Sequence, residues 1–218
     1  MKKYNYILFD LDGTLTHSHP GIYGCFRYAL EKMGEKEPDE KTLQKCVGPS
    51  LMYSFMNYFG MSEERAREAT AKYRERYSVL GWQENDPIEG ALDALKALKE
   101  AGYLLAMATS KPKIYADMIA EKFGFSPYFA VQVGSGIDGS FPTKASVIHE
   151  CMRQFGAKKE ECLMVGDREH DAEGAREEGV DCALLKVGYA EDGEFEKCAP
   201  EYVFADFAEL TKFLLPEA

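Results

Sequence analysis

The feature that most constrains this chain is a short apolar segment near its start that ends at two carboxylates. Residues 6–9 have the apolar side chains typical of a buried strand, and Asp10 and Asp12 follow directly. Gly13 and Thr14 then indicate a turn. Because an unpaired buried carboxylate is strongly destabilising, a bound cation or a catalytic task would explain two of them here. The alternative is a strand that simply ends in an Asp-rich turn.

Three further segments carry polar groups of the same kind. Residues 103–108 form a second apolar run that ends in Thr-Ser-Lys-Pro, and Lys144 begins a helical pattern. Asp167 and Asp171 follow a third apolar run, residues 162–166. Each segment alone has an ordinary explanation, such as a helix cap or a solvated lysine. Three of the four segments follow strands, however, and ligands of open parallel sheets bind at the carboxyl ends of strands.

The pattern of elements predicts an α/β fold, a doubly wound parallel sheet with an inserted all-helical domain. From Ile88 onward, apolar strands alternate with helices, which is typical of a parallel sheet covered on both faces. Residues 21–80 show helical patterns only. We therefore expect residues 1–16 and 86–218 to form the α/β core and residues 17–85 to form a helical domain. The predicted helices are 21–33, 39–47, 50–59, 62–80, 88–101, 113–123, 144–155, 168–178 and 206–214, and the predicted strands after the first are 103–108, 129–133, 162–166, 182–187 and 202–204.

Composition narrows the classes of partner. The chain has 218 residues and a net charge of −11, which argues against a surface that binds nucleic acid. Its six cysteines have no spacing typical of zinc ligands. No apolar signal segment and no run of about 18 apolar residues occurs, so we expect a reduced, cytoplasmic protein that binds no membrane. We expect it to be a monomer or a homodimer.

Taken in order, these segments resemble the four motifs of the haloacid dehalogenase-like superfamily, most of whose members are phosphatases. The resemblance covers essentially the whole chain and implies a Rossmann-like core with a helical cap inserted between the first two motifs. The sequences Asp-Gly-Thr-Leu-Thr (12–16), Val-Gly-Pro-Ser-Leu (47–51), Ala-Thr-Ser-Lys-Pro (108–112) and Gly-Asp-Arg-Glu-His-Asp (166–171) look most like the phosphoglycolate phosphatase and 5′-nucleotidase-like branch. His17 departs from that branch, where an acidic residue more commonly precedes the serine.

The resemblance implies a role for each motif residue. Asp10 would be the nucleophile that forms an aspartyl-phosphate, and Asp12 would protonate the leaving group and later deprotonate water. Lys144 would offset the charge of Asp10 and of the phosphate. Thr109 and the N–H of Ser110 would bind the phosphoryl oxygens. Mg²⁺, which prefers hard oxygen ligands, would be the cofactor, with Asp171 binding it directly or through water. The implied metal site consists of Asp10, the backbone carbonyl of Asp12, Asp167 and Asp171.

The expected function is therefore a Mg²⁺-dependent phosphatase that acts on a small phosphorylated metabolite, either phosphoglycolate-like or a nucleoside monophosphate. A phosphosugar mutase of the β-phosphoglucomutase kind is the first alternative, because such enzymes keep both aspartates. A non-catalytic binding protein is the second, although the intact motif set argues against it. Within the helical domain, the turn at 48–50 is a candidate for substrate contact, with the alternative of a simple helix–helix connector. His17 is interpreted as a polar hinge residue, with substrate contact as its alternative.

Overall fold

The chain forms two compact units in the computed structural model, which describes residues 3–215. One unit contains the chain up to Thr16 together with the chain from Pro87 onward, and the other is His17–Asp86. The predicted return to the core lies one residue earlier, at residue 86. Within residues 3–215, no helix is both long enough and apolar enough to cross a membrane.

The α/β unit is built on a parallel sheet. The strands of the chain are β1 (Tyr6–Phe9), β2 (Thr16–His17), β3 (Asp86–Pro87), β4 (Leu104–Pro112), β5 (Phe129–Ser135), β6 (Cys162–Gly166), β7 (Asp181–Leu185) and β8 (Tyr202–Phe204). Six of them form one sheet in the order β5-β4-β1-β6-β7-β8, and every pair is parallel. The two-residue strands β2 and β3 pair with each other. The predicted α/β class with a doubly wound parallel sheet is confirmed.

Helices cover both faces of the large sheet. The helices are α1 (His19–Lys32), α2 (Glu40–Lys45), α3 (Leu51–Asn57), α4 (Glu63–Tyr77), α5 (Ala91–Glu100), α6 (Lys113–Lys122), α7 (Lys144–Phe155), α8 (Glu169–Glu178), α9 (Glu194–Cys198) and α10 (Phe207–Leu214). Successive strand residues point to opposite faces. Leu8 belongs to a buried cluster with Val147 and Ile148 of α7, and the ring of Phe9 lies 6.5 Å from that of Phe207 in α10. The central strand is therefore covered on both sides.

The helical unit packs around aromatic side chains. The ring of Phe26 lies 5.0 Å from the rings of Phe55 and Tyr73 and 5.9 Å from that of Phe59. Aromatic residues of the insertion therefore form a small helical core. Helix α2 is capped at its start, because the carboxylate of Asp39 accepts the backbone N–H of Thr42 at 2.8 Å.

Several element boundaries differ from the prediction. Helix α1 begins at His19 rather than Gly21, since Pro20 fits the first turn of a helix. The short helix α9 was not expected from the sequence pattern. Strand β4 continues to Pro112, four residues beyond its predicted end, because Thr109 and Pro112 still pair with β5, across a register shift between them. The Thr-Ser-Lys-Pro segment is thus the irregular end of a strand and not the loop after it.

Candidate active site

An acidic cluster lies at the carboxyl ends of the two central strands. Asp10 follows β1, Asp167 follows β6, and Asp171 lies in the first turn of α8. Because β1 and β6 are parallel neighbours, their carboxyl ends meet at one edge of the sheet. The three side chains are buried, and each offers a carboxylate oxygen within 4.8 Å of the others. The sequence-predicted residues Asp10, Asp167 and Asp171 are therefore brought together.

Lys144 joins this cluster from the first residue of α7. Its Nζ donates to Asp10 Oδ1 at 2.6 Å and to the carbonyl of Ala108 at 3.0 Å, and it lies 2.9 Å from Asp171 Oδ1. Burial opposes the charge of Lys144, but the carboxylates of Asp10 and Asp171 outweigh it and raise the pKa of the ammonium above its usual value. The lysine is thus held as a buried cation between two aspartates.

The second aspartate of the first motif pairs with a different lysine. Lys111 Nζ donates to both carboxylate oxygens of Asp12, at 2.8 and 2.6 Å. Both side chains are largely buried, with 5% and 13% of their surface exposed. The sequence prediction missed Lys111, although its position two residues after Thr109 in the second motif was a usable signal.

Thr109 and Ser110 lie at the end of β4, next to β1. Thr109 is buried and its Oγ1 accepts the backbone N–H of Lys111 at 3.2 Å. Ser110 is half-buried, and its carbonyl accepts the hydroxyl of Ser135 at 2.8 Å. The contact of Lys144 with the carbonyl of Ala108 brings this segment beside the acidic cluster. The four motifs therefore meet at one edge of the sheet.

Asp167 is fixed by residues that the sequence prediction did not include. The hydroxyl of Thr14 donates to its Oδ1 at 3.2 Å, and the backbone N–H of Tyr189 donates to its Oδ2 at 2.8 Å. A Cβ at Gly13 or at Gly188 would collide with this carboxylate, so both positions need glycine. Thr14 lies within the first motif, whereas nothing in the local sequence marks residues 188 and 189.

Comparison with known proteins decides the family. The profile of the family described as haloacid dehalogenase-like hydrolase matches residues 7–185. The chain belongs to this hydrolase family. It is 40% identical over 212 residues to a 5′-nucleotidase of Pseudomonas aeruginosa, covering 97% of this chain and 96% of that protein. It is 37% identical over 197 residues to the tyrosine-protein kinase PtkA of Mycobacterium tuberculosis, covering 90% of this chain and 67% of that protein.

A solved structure supports the same assignment. The crystal structure titled a predicted phosphatase from Clostridium acetobutylicum superposes with a TM-score of 0.93 at 37% identity, covering 98% of this chain and 99% of that chain. The predicted family is therefore confirmed, and with it the prediction that the chain is a hydrolase enzyme of the phosphatase type.

The acidic cluster of this hydrolase has an excess of negative charge. Burial and then the charges of Asp171 and Asp10 raise the pKa of Asp167 well above its usual value. Burial also raises the pKa of Asp10, although Lys144 opposes the shift. Carboxylates held this close repel one another unless a cation lies among them. An all-oxygen donor set of this kind fits Mg²⁺.

Asp171 differs from the other two aspartates in what its oxygens already contact. Its Oδ2 accepts the backbone N–H groups of Asp167 at 3.1 Å and of Arg168 at 3.2 Å. Its Oδ1 faces the ammonium of Lys144. Asp171 therefore shapes the turn that carries Asp167, in addition to lining the cluster.

A buried ion pair supports the same turn. Arg168 is buried, and its Nε donates to Glu194 Oε1 at 2.7 Å. Glu194 also accepts the backbone N–H groups of Glu169 at 2.7 Å and of Glu191 at 2.8 Å. This carboxylate in α9 ties the start of α8 to the segment that contains Tyr189. Only the tertiary structure reveals it, since α9 carries no motif.

The remaining candidates lie in the helical unit. His17 is half-buried, and its ring lies 6.4 Å from that of His19 in an edge-to-face arrangement. In the turn at 48–50, the hydroxyl of Ser50 accepts the backbone N–H of Tyr53 at 3.2 Å and so caps α3. The turn therefore has a structural task as a helix start, whatever else it does. The substrate role of these residues stays a prediction.

Proposed function

We propose that this enzyme is a Mg²⁺-dependent phosphatase that hydrolyses a small phosphomonoester through an aspartyl-phosphate on Asp10. The observation that carries the proposal is the buried cluster of Asp10, Asp167 and Asp171 with Lys144 between two of its members. A carboxylate held beside a buried ammonium at a strand end is suited to attack a phosphorus atom, because the lysine offsets the charge that gathers there.

In the first proposed step, a carboxylate oxygen of Asp10 bonds to phosphorus and the bond from phosphorus to the ester oxygen breaks. The leaving oxygen takes a proton from Asp12, so an alcohol departs. In the second step, water attacks the phosphorus of the aspartyl-phosphate and gives its proton to Asp12. The bond between phosphorus and Asp10 then breaks, which releases inorganic phosphate and restores the carboxylate of Asp10.

Mg²⁺ would be held by Asp10, Asp167 and the backbone carbonyl of Asp12, with Asp171 binding it through a water molecule. We propose the indirect role for Asp171 because its oxygens already contact two backbone N–H groups and Lys144. When bound, the cation supplies charge stabilisation for the phosphoryl oxygens. Thr109 and the N–H of Ser110 would hold those oxygens in place from the end of β4.

The substrate that we propose first is a nucleoside 5′-monophosphate, with phosphoglycolate-like compounds as the next class. The 40% identity to a 5′-nucleotidase over nearly the whole length of both chains supports this order. We further propose that the helical unit His17–Asp86 is a cap that selects the substrate. The protein would work in the reduced cytoplasm, as a monomer or a homodimer, and its six cysteines are buried free thiols.

A second candidate function is transfer of the phosphoryl group from Asp10 to a hydroxyl other than that of water. The similarity to a protein named a tyrosine-protein kinase favours considering it. A phosphosugar mutase would belong to the same class, because its acceptor is a sugar hydroxyl. In both proposed reactions the phosphoryl group would pass through Asp10, and its acceptor would be a hydroxyl of tyrosine or of a sugar in place of water.

A substrate screen tests the proposal. The purified protein with Mg²⁺ is incubated with nucleoside 5′-monophosphates, phosphoglycolate and sugar phosphates, and phosphate release is measured with Asp10→Asn as the blank. We expect release from at least one class that requires both Mg²⁺ and Asp10. Release without Asp10 would contradict the covalent route. Isomerised sugar phosphate in the same reactions, or phosphorylated tyrosine in a parallel reaction with ATP and a tyrosine-containing peptide, would favour the second candidate.

A further inference from the structure

The α/β unit contains two buried lysine–aspartate pairs, and the proposed function uses only one of them. The ammonium of Lys144 offsets the negative charges of Asp10 and Asp171. Lys111, from β4, contacts Asp12 through both carboxylate oxygens. Contact of one ammonium with both oxygens restricts where the carboxylate can point, because moving away would lose charge-assisted hydrogen bonds. The orientation of Asp12 therefore depends on Lys111.

The strand that carries Lys111 is irregular where it pairs with its neighbour. In the pairing of β4 with β5, Thr109 lies opposite Gly134 and Pro112 lies opposite Ser135, so the register shifts between them. Bulges of this kind redirect side chains and are common beside active sites. The backbone N–H of Lys111 donates to Thr109 Oγ1 at 3.2 Å, which holds the irregular segment together.

We propose that Lys111 is a positioning residue that orients the carboxylate of Asp12 toward the attacking water in the second step of the reaction. The inference rests on the proposed function, in which Asp12 has given its proton to the leaving oxygen before that step. Asp12 is then a carboxylate, the form in which it pairs with an ammonium. The water loses its proton to Asp12, and Lys111 takes no proton and forms no bond to phosphorus.

This role predicts which part of the kinetics should change. Hydrolysis of the aspartyl-phosphate needs an oriented base, whereas p-nitrophenyl phosphate has a leaving group that departs without help from an acid. In Lys111→Met, kcat for p-nitrophenyl phosphate should fall by about 10–100-fold, part of the full acid–base contribution. Its kcat/KM, which reports only on steps up to departure of the leaving group, should change by less than about threefold.

The experiment is rapid mixing of enzyme and p-nitrophenyl phosphate with Mg²⁺. Lys111→Met should release about one equivalent of nitrophenolate per active site in a burst before a slow steady state. Intact-mass measurement of the quenched variant should find one phosphoryl group on the chain. Lys111→Arg, which keeps the charge, should recover part of kcat. Lys113→Met is the matched control, since Lys113 is exposed and pairs with Asp117, and it should behave as wild type.

A double variant separates positioning of Asp12 from other effects. In an Asp12→Asn background, Lys111→Met should cause no further loss of kcat. A further loss of kcat in the double variant would overturn the inference. So would a single variant Lys111→Met whose kcat and kcat/KM fall equally without a burst, or one whose kinetics are unchanged. If Lys111→Met does not fold, Lys111→Gln replaces it with the same expectations. A wild-type enzyme that hydrolyses no phosphomonoester would overturn the proposed function, and with it this inference.

Discussion

The two units of the chain differ in what they bury. Every buried charged side chain among residues 3–215 belongs to the α/β unit, and the set is Asp10, Lys111, Lys144, Asp167, Arg168, Asp171 and Glu194. In the helical unit, all of which the structure describes, the buried polar residues are the uncharged Ser18, Ser54, Thr70 and Asn85. Its interior is otherwise apolar and aromatic.

The difference indicates that the groups suited to chemistry lie in the α/β unit, whereas the interior of the helical unit contributes only stability. Burying a charged side chain costs folding free energy, and apolar side chains in the same positions would often stabilise the fold equally well. The concentration of buried charges at one edge of the sheet therefore indicates a catalytic task. The helical unit, by contrast, is stabilised in the ordinary way by packing, which leaves its surface able to change without disturbing the site.

The largest effect should come from removing the proposed nucleophile of the α/β unit. Asp10→Asn keeps the shape of the side chain and removes its charge, so kcat should fall by more than about 100-fold, a loss above roughly 2.7 kcal/mol. Steady-state phosphate release measures it, and circular dichroism checks that the fold is retained. Asp117→Asn, an exposed aspartate paired with Lys113, is the control. Activity above a hundredth of wild type would contradict covalent catalysis at Asp10.

The next effect should appear in the helical unit as a loss of stability. Phe26 is fully buried among aromatic rings, so Phe26→Ala should cost about 3–5 kcal/mol of unfolding free energy. Hydrogen exchange measured by mass spectrometry should become faster in α1, α3 and α4 and remain unchanged in β1 and β6. Leu80→Ala, at a site half exposed to solvent, should change neither. Equal acceleration in β1 and β6 would show that the two units do not differ in this way.

The sequence predicted the α/β unit well because its signals are local. Apolar runs bounded by turns mark buried strands, and carboxylates directly after them mark the edge at which they meet. The family resemblance supplied the partners of Asp10, and the structure places Lys144 against that aspartate. Thr14, in contact with Asp167, lies within the first motif but was given no role.

What the sequence did not predict depends on contacts between distant segments. Glu194 reaches Arg168 from a five-residue helix that has too few residues for a periodic pattern. Lys111 was quoted within the second motif but given no role, because the irregular end of β4 is visible only in its pairing with β5. Single lysines and glutamates are usually solvated, and only burial distinguishes these two.

Charge in the acidic cluster should make the effect of Mg²⁺ on stability depend on pH. Because the pKa values of Asp167 and Asp10 are raised, the folded metal-free protein holds protons that the unfolded chain has lost above about pH 4. Its stability should therefore fall as pH rises from about 4 through the raised pKa values. In the proposed function Mg²⁺ would bind the ionised carboxylates, so the stabilisation it adds should be about 1–2 kcal/mol larger at pH 7.5 than at pH 5.

Thermal unfolding with Mg²⁺ and with chelator at the two pH values measures this difference. Asp167→Asn removes one of the raised carboxylates and should reduce the pH dependence, whereas Asp117→Asn should not. The same Mg²⁺ stabilisation at pH 5 and pH 7.5 would mean that the buried aspartates are not where the cation binds.

The smallest effect should come from the surface of the helical unit, where a change would alter substrate choice and spare the chemistry. Tyr53 is exposed, with 49% of its surface accessible, and follows the turn at 48–50 that starts α3. If this unit selects the substrate, Tyr53→Ala and Pro49→Ala should lower kcat/KM for the best natural phosphomonoester by roughly 10-fold. Hydrolysis of p-nitrophenyl phosphate, which needs little recognition, should stay nearly unchanged.

The two substrates must be measured on the same preparations, with Met56→Ala in the same helix as the control. Equal losses on both substrates would mean that the substitutions damage folding, since Ser50 also caps α3. No loss on either would place specificity elsewhere in the unit, with His17 and Trp82 as the next positions to substitute. A loss confined to the natural substrate would extend the contrast between the units to function, because loops on a rigid scaffold can vary in recognition while the buried charges stay fixed.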